Sequence, residues 1–181
     1  MPGGRVSIWA PNGHRWMVAA LGSYRAGATL VPVHSRFKAG EAAGLLRATG
    51  AKILFTVTDF LATDYAAAIR AEPDLPALGE VVVLDGPVSP ATTTWSDFVA
   101  RAATVPAEVT AARAAALTGD DVSDIIFTSG TTGKPKGAML AHGPSTRLYT
   151  SWADDALPLN ATGKVVRYEL RDRAAATLRP A

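Results

Sequence analysis

Between Arg5 and Leu84 the sequence alternates short apolar runs with segments of helical periodicity, and this alternation narrows the possible folds more than any other feature. Arg5–Trp9 is an apolar run ended by the turn signal Pro11-Asn12-Gly13, which predicts a buried strand. Met17, Ala20, Leu21 and Tyr24 then recur at i, i+3, i+4 and i+7, predicting a helix that buries this face and stops at Gly27. Residues 29–33 predict a second strand, and Ala42, Leu45, Leu46 and Thr49 a second helix stopping at Gly50. Residues 52–56 predict a third strand. Thr58 or Asp59 then caps a helix whose apolar face holds Leu61, Tyr65, Ala68 and Ile69. A fourth strand covers 80–84 and ends at Asp85-Gly86-Pro87. Strands and helices alternating at these lengths predict an α/β fold, a mostly parallel sheet with flanking helices, in which ligands sit beyond the carboxyl ends of the strands. Residues 87–119 read as a connection with one short helix near 96–102, and residues 124–128 as a fifth strand. Residues 137–141 form a further extended segment. Past residue 155 the character changes, to a turn-like 157–164, an extended Val165-Val166 and a helix over 168–178.

With 181 residues, 48% of them hydrophobic, the chain is sized for one domain with a real core rather than for disorder. The absence of cysteine excludes disulfides, zinc–thiolate sites and a protein thiol nucleophile, so any thiol chemistry uses an external thiol. No uncharged run approaches the roughly 18 apolar residues of a membrane span, and Met1-Pro-Gly-Gly-Arg5 lacks the apolar stretch of a signal peptide; the expected location is cytoplasmic. Residues 1–50 and 126–181 are basic and 51–125 acidic, without the dense basic face or basic–aromatic interleaving of a nucleic-acid binder. His14, His34 and His142 have no metal-ligand spacing, so no metal site is assigned, and the four tryptophans read as packing residues.

Behind Ile125-Ile126-Phe127 stands Thr128-Ser129-Gly130-Thr131-Thr132-Gly133-Lys134-Pro135-Lys136-Gly137. Its glycines let backbone approach phosphate oxygens, consecutive N–H groups can form an anion nest, and hydroxyls and two lysines add donors and charge. It is not the common P-loop, since only two residues stand between Gly130 and Gly133 and Pro135 follows Lys134, and it is not a dinucleotide fingerprint.

The stretch from Asp124 to His142 resembles the signature of the adenylate-forming superfamily: acyl-CoA synthetases, luciferases and the adenylation domains of peptide synthetases. Arg5–Asn12 and Ala26–Val33 are similar to upstream segments of the same family, and the style up to about Asp155 resembles a fatty acyl-CoA synthetase, with Ala141 where Thr is common. The resemblance implies ATP, Mg²⁺ and coenzyme A as cofactors and a carboxylic acid as substrate. The acid attacks the α-phosphate, giving an acyl adenylate, and the CoA thiol then displaces AMP. In that role Thr128, Ser129, Thr131 and Thr132 donate hydrogen bonds, Gly130, Gly133 and Gly137 permit close approach, and Lys134 and Lys136 offset phosphate charge.

Leu157–Arg171 resembles the family's last signature, near the end of its small mobile domain, and this implies that Lys164 contacts the α-phosphate region and the carboxylate during adenylation. In the family the two signatures stand several hundred residues apart; here little chain separates them. The aromatic-Gly-x-Thr-Glu segment that reads adenine and places a glutamate near Mg²⁺ is not found, nor is a Thr-Gly-Asp after the loop; Thr118-Gly119-Asp120 precedes it and reads as a turn. The resemblance therefore implies two parts, residues 1–155 as a partial N-terminal AMP-binding domain and 156–181 as the tail of the small C-terminal domain, with the stretch between deleted. Two functional readings follow. One is an acyl-CoA synthetase by descent, inactive as this chain; the other is a non-catalytic nucleotide-binding or interaction remnant, associating through its exposed sheet.

Overall fold

The structure, a computed structural model, describes residues 3–128 and 135–154. Ser129 to Lys134, Lys164 and the whole of the expected tail over 156–181 lie outside the described residues.

The strands form one sheet. In chain order they are β1 (Arg5–Trp9), β2 (Thr29–Pro32), β3 (Ile53–Val57), β4 (Glu80–Asp85), β5 (Thr93–Thr94), β6 (Val122–Thr128) and β7 (Lys136–Ala141). Their spatial order is β5-β4-β3-β1-β2-β6-β7. Every neighbouring pair is parallel except β6 and β7, which pair antiparallel as a hairpin. The mostly parallel sheet expected from the alternation is thus present.

The helices are α1 (His14–Arg25), α2 (Ala39–Thr49), α3 (Tyr65–Arg70), α4 (Trp95–Ala100), α5 (Ala107–Ala115) and α6 (His142–Asp154), with a 3-10 turn at Arg101–Thr104. β1 lies between β2 and β3, so the chain moves one way from β1 to β2 and the opposite way from β2 to β3. Right-handed crossovers then require the two connecting helices to lie on opposite faces. The side chains agree: α1 lies on the face where Phe55 of β3 packs against Trp95 and Phe98 of α4, while α2 packs beside α3, whose Tyr65 stacks on Trp9 of β1 on the other face, ring centroids 4.2 Å apart.

The core consists of apolar side chains from β1 to β4 and the inner surfaces of α1, α2 and α3. Ile8, Val31, Leu54, Ile69, Val81 and Val82 are fully buried, each contributing about 1.5–3 kcal/mol of apolar burial. α2 follows its sequence pattern: Ala42, Leu45, Leu46 and Thr49 are buried, Glu41 accepts from the backbone N–H of Lys38 at 2.8 Å, and Gly50 closes the helix in the left-handed conformation at φ 62°.

Three expectations are corrected. In α1 the face turned to the sheet is Ala19, Ala20 and Ser23, while Met17 and Leu21 are 54% and 59% exposed. An alanine-rich helix offers more than one apolar stripe, and here the small residues allow the closer approach. The third helix starts later than expected, at Tyr65, because Leu61 and Ala62 adopt left-handed backbone (φ 53° and 57°) in a turn closed by Phe60 and Thr63. Asp64, not Thr58 or Asp59, is its N-cap, accepting from the N–H of Ala67 at 2.9 Å. Finally, residues 87–119 hold more than one helix: Thr94 caps α4 by accepting from the N–H of Asp97, β5 pairs with β4, and α5 follows.

Candidate functional site

The glycine-rich segment joins two antiparallel strands at the carboxyl end of β6. Thr128 pairs with Lys136 and Phe127 with Gly137, so the described flanks of the loop are the last rungs of a hairpin ladder. Thr128 and Lys136 are both exposed, and among the described residues Lys136 makes no ion pair. A Cβ on Gly137 would lie 2.9 Å from Cγ2 of Ile125 and 3.3 Å from Cζ of Phe127. Gly137 is therefore required by cross-strand packing, a reason additional to the expected approach of phosphate. The donors described at this end, the Lys136 ammonium and the Thr128 hydroxyl, suit an anion; Ser129 to Lys134 lie outside the described residues.

β6 is fixed to the rest of the sheet from α1 and β2. Tyr24 donates its hydroxyl hydrogen to Oδ1 of Asp124 at 2.6 Å, and Thr29 donates to the carbonyl of Val122 at 3.0 Å. Thr118-Gly119-Asp120 is indeed a turn before the strand. Asp121 accepts from the backbone N–H of Thr118 at 2.7 Å and from its hydroxyl at 3.0 Å, and these bonds hold its carboxyl below the usual carboxylate range, with His142 a smaller influence in the same direction. The backbone N–H groups of His142 and Gly143 then bond to the carbonyls of Asp121 and Gly119, seating the start of α6 on this turn.

Two clefts open at the carboxyl ends of the parallel strands. One of about 480 Å³ lies beside the hairpin, lined by Asn12, Trp16, His34, Phe37, Ile126 and Phe127 among others. A second of about 360 Å³ lies between the ends of β1, β3 and β4, where strand order reverses. There Arg15 donates to the carbonyl of Leu84 and lies 3.5 Å from the Asp85 carboxylate. Sheets of this order place ligands at such a reversal. Sequence reasoning missed this second cleft, although the two turn signals that border it, Pro11-Asn12-Gly13 and Asp85-Gly86-Pro87, were visible. Among the described residues no three His, Asp or Glu side chains gather as a metal site, and no helix is long and apolar enough to cross a membrane. Of the tryptophans, Trp9, Trp16 and Trp95 pack in or against the core as expected, Trp16 also bordering both clefts, while the side chain of Trp152 lies outside the described residues.

An open sheet ordered around β1 in this way, with ligand clefts at its carboxyl edge, places the molecule among the doubly wound α/β proteins. Within that class the chain belongs to the AMP-binding enzyme family, which matches residues 1–178. It is 43% identical over 159 residues to a 3-[(3aS,4S,7aS)-7a-methyl-1,5-dioxo-octahydro-1H-inden-4-yl]propanoyl:CoA ligase of Rhodococcus jostii (strain RHA1), a match covering 86% of this chain and 31% of the relative. The ligase of the same name from Mycobacterium tuberculosis is 45% identical over 152 residues, covering 84% and 29%. Among solved structures, the anthranilate CoA ligase AuaEII in complex with anthranoyl-AMP superimposes with a TM-score of 0.71 at 26% identity, covering 88% of this chain and 29% of that one. The inhibitor-bound N-terminal domain of FACL13 from Mycobacterium tuberculosis gives 0.64 at 27% identity, covering 84% and 35%. The chain thus spans about a third of the length of the proteins it resembles.

Proposed function

We propose that this chain is an acyl-CoA synthetase by descent that grips the triphosphate of Mg-ATP in its 128–137 loop but does not complete adenylation of a carboxylic acid or thioester formation with coenzyme A. The observation that carries the reading is the hairpin itself. It holds a segment of the family's signature composition at the carboxyl edge of the sheet, with Lys136 free of any carboxylate partner among the described residues. Similarity to several CoA ligases supports the reaction class. In this reading Thr128, Ser129, Thr131 and Thr132 donate to phosphate oxygens, Gly130 and Gly133 admit the backbone, and Lys134 and Lys136 offset the charge of the β- and γ-phosphates. Magnesium arrives with the nucleotide. Residues 1–155 act as the partial AMP-binding domain and 156–181 as the tail of the small domain, whose Lys164 belongs to the α-phosphate and carboxylate side of the reaction. A cytoplasm supplied with ATP is the compartment this reading requires.

Titration calorimetry with Mg-ATP tests the grip. Wild type gives a binding isotherm, and Lys134→Ala/Lys136→Ala weakens it at least tenfold; absence of heat in both proteins rejects nucleotide binding. ATP–pyrophosphate exchange with hydrophobic acids tests the rest: exchange stays at background and Lys164→Ala changes nothing. Strong exchange abolished by Lys164→Ala would instead establish a working enzyme.

A further inference from the structure

A cavity larger than either cleft described above lies away from the hairpin, at the opposite end of the strands. It measures about 730 Å³, is open to solvent on one side, and is bordered by the amino-terminal parts of β1 and β3, the flank of α1 that carries Val18, Ala19, Gly22 and Ser23, and the segment running from α4 through the 3-10 turn to α5. Its floor is aromatic and ordered. Phe98 meets Phe55 edge-on at 5.1 Å, and Trp95 lies over Phe98 at 6.4 Å. Val18 and Val105 extend the apolar wall toward solvent.

The charged residues of the lining are Arg5, Lys52, Arg101 and Arg113, and no acidic side chain lines it. Two of the four are engaged. Arg5 donates to the carbonyl of Thr49, and Arg101 pairs with Glu80 at 2.7 Å while its guanidinium stays 5.9 Å from the Phe98 ring centre. Lys52 and Arg113 make no ion pair among the described residues. A cleft of this size with an apolar body and a few polar groups at its rim has the form of a small-molecule site. Two cations left without a counter-charge beside such a body select ligands with an anionic head.

We propose that this cavity is a second binding site, for an amphipathic organic anion whose apolar body lies on Phe55, Trp95 and Phe98 and whose head meets Lys52 and Arg113. The site is separate from the loop and does not depend on the nucleotide reading, because it lies at the other end of the strands and shares no residue with the hairpin.

The test compares two fluorescent probes that differ by one group, 8-anilinonaphthalene-1-sulfonate and its neutral counterpart N-phenyl-1-naphthylamine, on the full chain. The sulfonate binds with one site per chain, and its amide shift changes in a ¹⁵N spectrum fall on residues 18–28, 52–55 and 95–113. Lys52→Gln/Arg113→Gln weakens the sulfonate about tenfold and leaves the neutral probe within twofold. Val105→Glu, at an exposed position of the wall, weakens both probes at least tenfold while circular dichroism verifies the fold. Equal loss of both probes in the double variant, shift changes centred on β7, or no saturable binding each overturns the proposal.

Discussion

Gly137 faces Phe127 across the hairpin with no room for a side chain. Gly137→Ala must displace a γ-methyl of Ile125 and crowd the Phe127 ring as well, and overpacking of this kind costs about 1–3 kcal/mol, to be read from the urea midpoint. A second residue whose chemistry is set by its surroundings is Tyr65. Its hydroxyl donates to the carbonyl of Ser35 at 2.6 Å, and burial raises the phenol above its ordinary value of 10.0, with Arg36 acting weakly the other way. Because the folded form holds its proton more tightly than the unfolded one, the associated stability is complete below pH 10 and declines as pH rises through the folded value. Spectrophotometric titration therefore shows a phenol that ionises above the ordinary value, and Tyr65→Phe removes that contribution.

At the level of elements, the turn before α3 stores strain. Leu61 and Ala62 both occupy left-handed backbone, where a Cβ is unfavourable by roughly 1–2 kcal/mol. Ala62→Gly removes part of that cost against a larger chain entropy, so thermal unfolding should show a gain of about 0.5–1 kcal/mol. Gly50→Ala has the opposite sign, losing about 1 kcal/mol at the end of α2. These two positions also show how far the fold was legible. Gly50 announced its helix end because glycine after an apolar stripe has one common use, and the cores of β1 to β4 announced themselves as short apolar runs. Leu61 and Ala62 gave no sign, since neither favours the conformation that the turn imposes on it. The buried face of α1 was hidden for a related reason: Met17 and Leu21 make the stronger hydrophobic stripe, yet closeness to the sheet selected alanine and serine. Of the candidate site, the loop was legible from composition and its flanks from the apolar run before it. The reversal cleft was not, because it exists only once strand order is known.

For the whole molecule the exposed edge matters most. Among the described residues β7 ends the sheet, pairing with β6 alone, and Met139 is 71% exposed with Ile126 and Leu140 each 40% exposed beside it. An apolar edge of this kind recruits other chains. Sedimentation at rising concentration should show reversible association, and Met139→Lys should return the protein to monomer; concentration-independent sedimentation of the wild type would rule the edge out as an interface. One seam within the sheet has a consequence of its own. β6 meets β2 in register at a single position, Leu30 with Asp124, and leans otherwise on the bonds from Tyr24 and Thr29, whereas it is laddered to β7 along its length. With so short a ladder at this seam, the hairpin is expected to open before the block of β1 to β4 does. Under the proposed grip of nucleotide by the 128–137 segment, binding is detected first as slowed amide exchange in β6 and β7 and only later as a higher melting temperature for the whole.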